Sequence, residues 1–522
     1  MQSFNLVDNP WIACIKDGQA SEVSLKDALL HAHEINEITD NSPLVVVAIH
    51  RLLLAVLHRV FGPKDFDQWT ELWKLGKWDA KAISEYLDRW KHRFDLFDKE
   101  RPFYQSKQLL DENAEKKSIV LLPNESATSG TWCDHSFQGS TEKFSPAMTA
   151  RYLLARQAFS LGGGNSKPFN LSNAPLAGGY TVMVLGNNLF ETLALNLIPY
   201  NEESPLPQIA PDLPAWEQEQ FREPDKNGNV PYGYVDYLTW QSRRILVFGD
   251  HTGVTDYALM QNLKLKDDFY HDPFKCYYKN PQRGMLEKKL NEDKVLWRDS
   301  HTLFVEAEDA SVQRPLVFNH LAEIEKRQSR GELVASKAYR FMLVGLLADK
   351  AKVYLWSREV LPLPLVYLTD ANLRNALKEA INLAEEVETL LSQAVEKLSA
   401  TLLDERQNID KDLVKKFAKG LGASSFYWTK LGLHFKQLLV DLPNDLVLDL
   451  EEETTIFGRK QLPLWAKLLE KTARQALRHV TSSLGSTAKD LKAVVQAESK
   501  FNMALAAVKK QYINYFDSQQ TP

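Results

Sequence analysis

From residue 370 onward the chain is long-period and almost free of glycine, and this constrains the fold more than any other feature. Over 370–399, 408–420, 425–440 and 463–512, apolar residues recur at helical spacing. Such segments cannot lie as half-buried strands, which need alternation of period two. Each buries one stripe, and about four of them close on one another as a bundle. Upstream the pattern changes to short apolar runs broken by Gly, Pro and Asn. The stretch "VLPLPLVYL" (360–368) carries two prolines and reads as the linker between the two regimes. The expected class is therefore α+β: a large mixed N-terminal domain with irregular loops over 1–365, followed by a C-terminal four-helix bundle over 366–522. A length of 522 residues, 44% of them hydrophobic, is ample for this.

Within the first region, "FNLVDNPWIACI" reads as a strand pair about an Asp8-Asn9-Pro10 turn. Helical spacing follows over 43–61 and in 66–93. The segment 106–145 is polar and irregular, the kind of long loop that usually carries function. A helix is expected over 146–159, strands at "YTVMVLG" and "RRILVFG", a Pro-rich acidic connector over 200–231, and a further helix over 333–348.

Charge and cysteine usage exclude several classes. The net charge is −5, so any nucleic-acid contact must use local patches. One such patch is visible: 371–458 holds 10 Lys and Arg against 15 Asp and Glu, whereas 459–512 holds 11 against 3. Cys14, Cys133 and Cys276 lie far apart, which argues against a disulfide framework or a cysteine zinc site and fits a cytoplasmic location. The N-terminal residues lack a basic-then-apolar leader pattern, and the apolar run at 42–61 is interrupted by His50, Arg51 and His58, as in a buried helix rather than a membrane span.

The most conspicuous local feature is "SLGGGNSKPFNLSNAPLAGGY" (160–180). It is not a phosphate cradle: Lys167 lies between Ser166 and Pro168, which breaks the P-loop pattern, and the dinucleotide fingerprint needs a glycine where Lys167 stands. It also follows a helix, whereas both motifs follow a strand. One glycine would cap the 146–159 helix. Three in a row favour close approach of another molecule to bare backbone. Of the enzyme classes, a metal-dependent nuclease or hydrolase would have to use the pairs Asp134-His135, Asp250-His251 and His271-Asp272, but none has HExxH or HxH spacing. No catalytic residue, metal ligand or cofactor is assigned.

Several stretches resemble the CasA family, the large subunit of the type I-E CRISPR surveillance complex Cascade. They are "FNLVDNPWI" (4–12), "RPFYQ" (101–105), "SPAMTARYLLARQAFSLGGG" (145–164), "GYVDYLTWQSRRILV" (233–247) and "DPFKCYY" (272–278). Their order and spacing extend the resemblance over essentially the whole chain, with the bundle the weakest part by sequence. The resemblance implies a non-catalytic subunit. It would sit beside the guide RNA with the backbone, 5′-handle-binding and small subunits. It would recognise the short protospacer-adjacent motif (PAM) of double-stranded target DNA from the minor groove, begin strand separation, hold the displaced strand and recruit a separate helicase–nuclease. Base pairing would then read the sequence, as in RNA-guided recognition generally.

Carried onto this chain, the family's PAM-reading loop falls on Gly162, Gly163 and Gly164, with Asn165 beside them. A groove only ~6 Å wide admits bare backbone more readily than side chains. The lysine finger falls on Lys266, with Lys264 as the alternative. The wedge falls on Asp349, Lys350 and Ala351, where Lys350 stands in place of the family's glutamine, so strand separation would be driven by sterics and charge rather than by an amide. The loop that docks on guide RNA and the neighbouring subunit falls on Trp132, Cys133, Asp134 and His135, with Trp132 supplying an aromatic face. Some relatives carry a cysteine zinc cluster near 250–276; only Cys276 is present here, so no zinc is expected. A stripe of Lys467, Lys471, Arg474 and Arg478, spaced i, i+4, i+7 and i+11, is suited to tracking the displaced strand.

Overall fold

The computed structural model describes residues 3–123, 142–201, 204–289, 297, 303–304, 312–349, 352–403, 410–449 and 454–511. The chain forms two compact units. The first comprises Met1–Leu290, Glu306–Ala335 and Tyr339–Val360; the second comprises Asn291–Val305, Ser336–Ala338 and Leu361–Pro522.

The first unit opens with strands β1 (Ile12–Lys16), β2 (Gln19–Val23) and β3 (Ile35–Ile38), in the order β2-β1-β3. The β1–β2 turn is Asp17-Gly18, where both residues have positive φ. The turn expected at Asp8–Pro10 exists, with the Asp8 and Asn9 amides donating to the Asn5 carbonyl, but it precedes the strand pair. Helix α1 (Pro43–Val60) is apolar on nearly every side, and 89% of its length is buried inside the protein. It is the one described helix long and apolar enough to cross a membrane, and its burial here is that of a core helix. Helices α2 (Phe66–Lys74) and α3 (Ala80–Trp90) each begin with an aspartate cap, Asp65 and Asp79, that accepts backbone N–H bonds.

Strand β4 (Lys116–Ser118) precedes helix α4 (Pro146–Phe159), which starts as its sequence dictates, with Ser145 accepting from the Met148 amide and Pro146 in the first turn. Helix α4 packs on α1 and on the sheet β4-β7-β6, formed with β6 (Arg243–Asp250) and β7 (Gly253–Gln261). Strand β5 (Tyr180–Leu185) is entirely buried. Strands β8 (Tyr277–Asn280), β9 (Gly284–Glu287) and β10 (Val312–Gln313) make a small antiparallel sheet, and helix α5 (Leu316–Ser329) follows.

Two expectations are corrected at the end of this unit. Residues 338–349 are not helical: they form β11 (Ala338–Asp349), which pairs antiparallel with β5 from Arg340 opposite Leu185 to Gly345 opposite Tyr180. Nor is 360–368 a free linker. Strand β12 (Lys352–Pro364) runs through its first residues beside β11, and a 3-10 turn follows over Leu365–Leu368.

The second unit holds the expected bundle of four long helices: α6 (Ala371–Leu403), α8 (Ala423–Asp441), α9 (Gln461–Thr481) and α10 (Ala488–Gln511). The shorter α7 (Lys411–Gly420) lies against α6, and β13 (Leu446–Asp449) pairs antiparallel with β14 (Thr454–Phe457). The segment 463–512 is thus two helices, broken after Thr481 near Gly485. The buried residues of α6 (Leu373, Leu377, Ile381, Ala384, Val387, Leu391) repeat every three or four positions. The core also takes aromatic groups from upstream chain: Trp297 stacks on Phe435 with centroids 4.1 Å apart, and Phe304 on Tyr367 at 5.4 Å.

Candidate nucleic-acid interface

The glycine segment is built from the end of helix α4. Ser160 ends the helix in an extended conformation (φ −59°, ψ 132°), so no glycine serves as a left-handed cap. The backbone then runs beside its own return: the Gly163 amide donates to the Leu171 carbonyl and the Leu171 amide to Gly164, both at 2.8 Å. The Ala174 amide donates to Ser160 at 2.8 Å and the Leu176 amide to Ala158 at 2.7 Å. Two glycines are required by this geometry. A Cβ on Gly162 would come within 2.8 Å of the Leu171 carbonyl oxygen and 2.9 Å of the Ser172 carbonyl carbon. Gly163 has φ +104°, a conformation nearly closed to L side chains.

Two buried polar side chains of the β6–β7 hairpin hold the loop. Arg243, 1% exposed, donates to the carbonyls of Leu161 (3.1 Å), Ser172 (2.5 Å), Ser160 (3.4 Å) and Ser242 (2.9 Å), and to Gln261 Oε1 (3.3 Å). No carboxylate is among these partners. Burial pulls its guanidinium down to about 9, and nearby Arg156 adds to this. Gln261, fully buried, accepts from the Ser172 amide (2.8 Å) and donates to Ser172 Oγ (2.9 Å), while its own amide donates to Ser166 Oγ (2.8 Å). Gln157 links the helix to the strand: its side chain donates to the Arg243 carbonyl and accepts from the Arg243 amide, each at 2.9 Å. The result is a hydrogen-bonded loop presenting Gly163, Asn165 and Lys167 to solvent, while Gly162 and Gly164 are half-buried.

The lysine segment continues directly from Gln261. It runs beside 228–229: the Asn229 amide donates to the Lys264 carbonyl (2.7 Å) and the Lys266 amide to the Asn229 carbonyl (3.2 Å). Gly228, at φ +100°, makes that approach possible, since a Cβ there would meet Lys266 Cα at 2.6 Å. Lys264 is half-buried and paired with Asp267 at 3.0 Å. Lys266 is exposed and only loosely paired with Asp268, at 3.6 Å. Of the two candidates, Lys266 has the freer ammonium.

Asp349 ends β11, four residues beyond Gly345, whose partner Tyr180 closes the glycine segment. The glycine segment thus leads into the end of β5 that pairs with Gly345 of β11. Lys350 and Ala351 lie outside the described residues, as do Trp132, Cys133, Asp134 and His135.

In the second unit, Lys467, Lys471 and Arg478 are exposed along α9. Arg474 departs from the expected stripe. It donates to Glu470 (3.0 Å) and to Asn502 of α10 (2.7 Å), and Glu470 also receives Lys509 at 2.5 Å. Burial opposes the Glu470 charge, but hydrogen bonds from Lys509 and Arg474 hold its pKa below the ordinary value. Arg474 thus fastens α9 to α10.

The described histidine–carboxylate pairs do not make a metal site. Asp250 caps its own turn, accepting from the Thr252 amide and hydroxyl. Asp272 is buried and accepts from the Tyr237 hydroxyl (2.5 Å), the Phe274 amide (2.8 Å) and Arg51 (3.5 Å). Among the described residues no group of three or more His, Cys, Asp or Glu could hold a metal ion.

The sequence singles out the glycines but not Arg243, Gln261 and Gln157, which hold them. The signal was present: paired arginines enter an apolar strand in "TWQSRRILV", and an arginine at a core position needs a set of buried acceptors.

The family model for CRISPR-associated protein Cse1 matches residues 5–476. The CRISPR-associated protein CasA/Cse1 of Thermus thermophilus is 30% identical over 97% of this chain and 98% of its own. A crystal structure of CasA from Thermus thermophilus matches with a TM-score of 0.80 at 28% identity, over 97% of this chain and all of that one. A chain of a CRISPR RNA-guided surveillance complex shares the fold, with a TM-score of 0.75 at 19% identity, over 96% of this chain and all of that one.

Proposed function

The chain belongs to the CRISPR-associated CasA/Cse1 family, and from that premise we propose that it is the non-catalytic large subunit of a type I-E Cascade complex. In this reading it works in the cytoplasm with guide RNA and the other Cascade subunits. It recognises the PAM in double-stranded DNA from the minor groove, starts the R-loop, holds the displaced strand and recruits the helicase–nuclease. The observation that carries the reading is a bare backbone held rigid from behind. Arg243 and Gln261 use their hydrogen bonds on the inner side of the 160–174 loop, which leaves Gly163 and Asn165 facing outward. A pre-ordered loop approaches base edges without an ordering cost at binding. Lys266 supplies a cation, whose targets in the groove are acceptors shared by several base pairs, so tolerance toward more than one PAM is expected. Lys350 acts as the wedge by steric and electrostatic means.

The test is a gel shift with reconstituted complex and duplexes with and without the PAM. A bulky residue at Gly163 also strains the backbone there, so Gly164→Leu is run beside Gly163→Leu; Gly164 does not have positive φ. Loss of PAM discrimination in both variants, with Gly164→Leu keeping its melting temperature, supports the reading. Unchanged discrimination in both removes it. Lys350→Ala should keep PAM binding and weaken strand opening, read by permanganate reactivity next to the PAM; normal opening removes the wedge assignment.

A further inference from the structure

Beside the glycine loop lies a cleft of about 400 Å³, within the roughly 300–1,000 Å³ of ligand sites, to which the reading above gives no role. Tyr104, Lys167, Phe221, Arg222, Gln241 and Asn262 line it. Lys167 lies three residues past Gly164, so loop and cleft share one segment. The "RPFYQ" stretch, conspicuous in the sequence but without an assigned task, contributes Tyr104.

Three observations indicate a ligand. Tyr104 has φ +55°, a left-handed conformation that is a real outlier for a bulky residue. It is held there by the bonds of the next residue, Gln105, to Leu96 and Val247; strain of this kind collects at functional sites. Gln241 makes no side-chain hydrogen bond among the described residues, and Asn262 uses only its Nδ2, on the Gln241 carbonyl at 2.9 Å. Phe221 is 49% exposed, with the Arg101 guanidinium 5.0 Å from its ring centroid.

The charge pattern narrows the ligand class. Arg243 is consumed by the loop carbonyls, Arg244 by Glu112 and the Gln261 carbonyl, and Arg222 pairs with Asp236 at 2.7 Å. Lys167 is the exposed cation left, and Glu223 an exposed carboxylate of the lining, neither with an ion pair among the described residues. One available cation, one available carboxylate, one aromatic face, an amide with donor and acceptor and a free carbonyl oxygen do not suit a polyphosphate. They complement a flat heterocycle with polar edges on a single phosphate.

We propose that this cleft takes one unpaired nucleotide, its base against Phe221 and hydrogen-bonded to Gln241 and Asn262, its phosphate beside Lys167. The inference rests on the glycine loop's being a nucleic-acid contact. The nucleotide comes either from target DNA opened beside that loop or from the unpaired end of the guide RNA.

The experiment uses reconstituted complex with 2-aminopurine placed singly at each position flanking the PAM in the duplex or, in a second arm, at each unpaired 5′ position of the guide. Phe221 is exposed and Gln241 half-buried, so Phe221→Ser and Gln241→Leu should fold normally, as thermal melting would verify. The expected result is one labelled position whose fluorescence differs from its neighbours, lost in both variants, with roughly ten-fold weaker formation of the opened complex, as for loss of one stacked base. A signal in the first arm assigns the base to DNA, and in the second to guide RNA. No variant-sensitive position in either arm overturns the cleft assignment while PAM-dependent binding persists. Absence of PAM-dependent binding by the unaltered complex instead overturns the function on which it rests.

Discussion

The two surfaces proposed to meet nucleic acid are built on opposite plans. In the first unit, the contact is backbone: glycines presented on a loop whose fastenings, Arg243 and Gln261, are buried behind it. In the second, the contact is side chain: Lys467, Lys471 and Arg478 standing exposed on a helix. The first plan fixes geometry, as reading a groove requires. The second supplies mobile charge, as following a flexible strand requires. The difference predicts which perturbations each surface tolerates.

The largest separation should come with acid. His50, His58 and His320 are all buried in the first unit, and burial lowers their pKa values to about 4, 3 and 3 from an ordinary 6.5. Their folded values lie below the unfolded one, so the unfolded chain binds more protons between these limits. Their contribution is complete above pH 6.5 and falls as pH drops toward 3, by on the order of 2 kcal/mol per histidine at pH 5. The described histidines of the second unit, His434 and His479, are exposed. Denaturant unfolding at pH 7 and pH 5, followed by probes in each unit, should show the first unit losing most. His58→Phe should blunt that loss, because neither ring nitrogen of His58 has a hydrogen-bond partner to forfeit. Equal pH sensitivity of both units would contradict the assignment.

Next comes the loop's support. Arg243→Met leaves the carbonyls of Leu161 and Ser172 without their buried donor. A destabilisation of about 3 kcal/mol is expected, with PAM discrimination lost as well. Retained discrimination in a folded variant would mean that the loop does not depend on its fastening.

That fastening also marks the limit of what the sequence reveals. Helix α4 is legible to the residue, because Ser145-Pro146 and the apolar spacing are local signals. The bundle is legible for the same reason. Strand β11 reads as a helix because its continuous apolar run, "FMLVGLLA", fits a buried helix or a buried strand equally. What decides is its partner β5, some 160 residues earlier in the chain, and no local pattern encodes that pairing. Arg243 and Gln261 escape notice likewise: a buried polar residue makes sense only beside its hydrogen-bond partners, which lie 71 to 89 residues away on the glycine loop. The glycines are conspicuous, whereas the residues that make them useful are not.

Salt should separate the two plans further. Replacing Lys467, Lys471 and Arg478 together by Ala should flatten the dependence of log K on log salt for displaced-strand binding by roughly 2, at ~0.7 per phosphate on a single strand. Gly164→Leu should weaken binding while leaving that slope nearly unchanged, since it removes no charge. Matching slopes in the two variants would erase the distinction.

The smallest effect is the sharpest probe of the stripe, because sequence spacing alone puts Arg474 in it. Its guanidinium donates to Glu470 and Asn502, and its charge is matched by a carboxylate shared with Lys509. Phosphate contact would require breaking those bonds and leaving Glu470 with one partner fewer. Arg474→Ala should therefore cost only about 0.2–1 kcal/mol of bundle stability, since the pair is partly exposed. It should leave the salt slope where it was, whereas Lys471→Ala should flatten it by about 0.7. Slope changes of equal size would return Arg474 to the binding face and assign Glu470 to Lys509 alone.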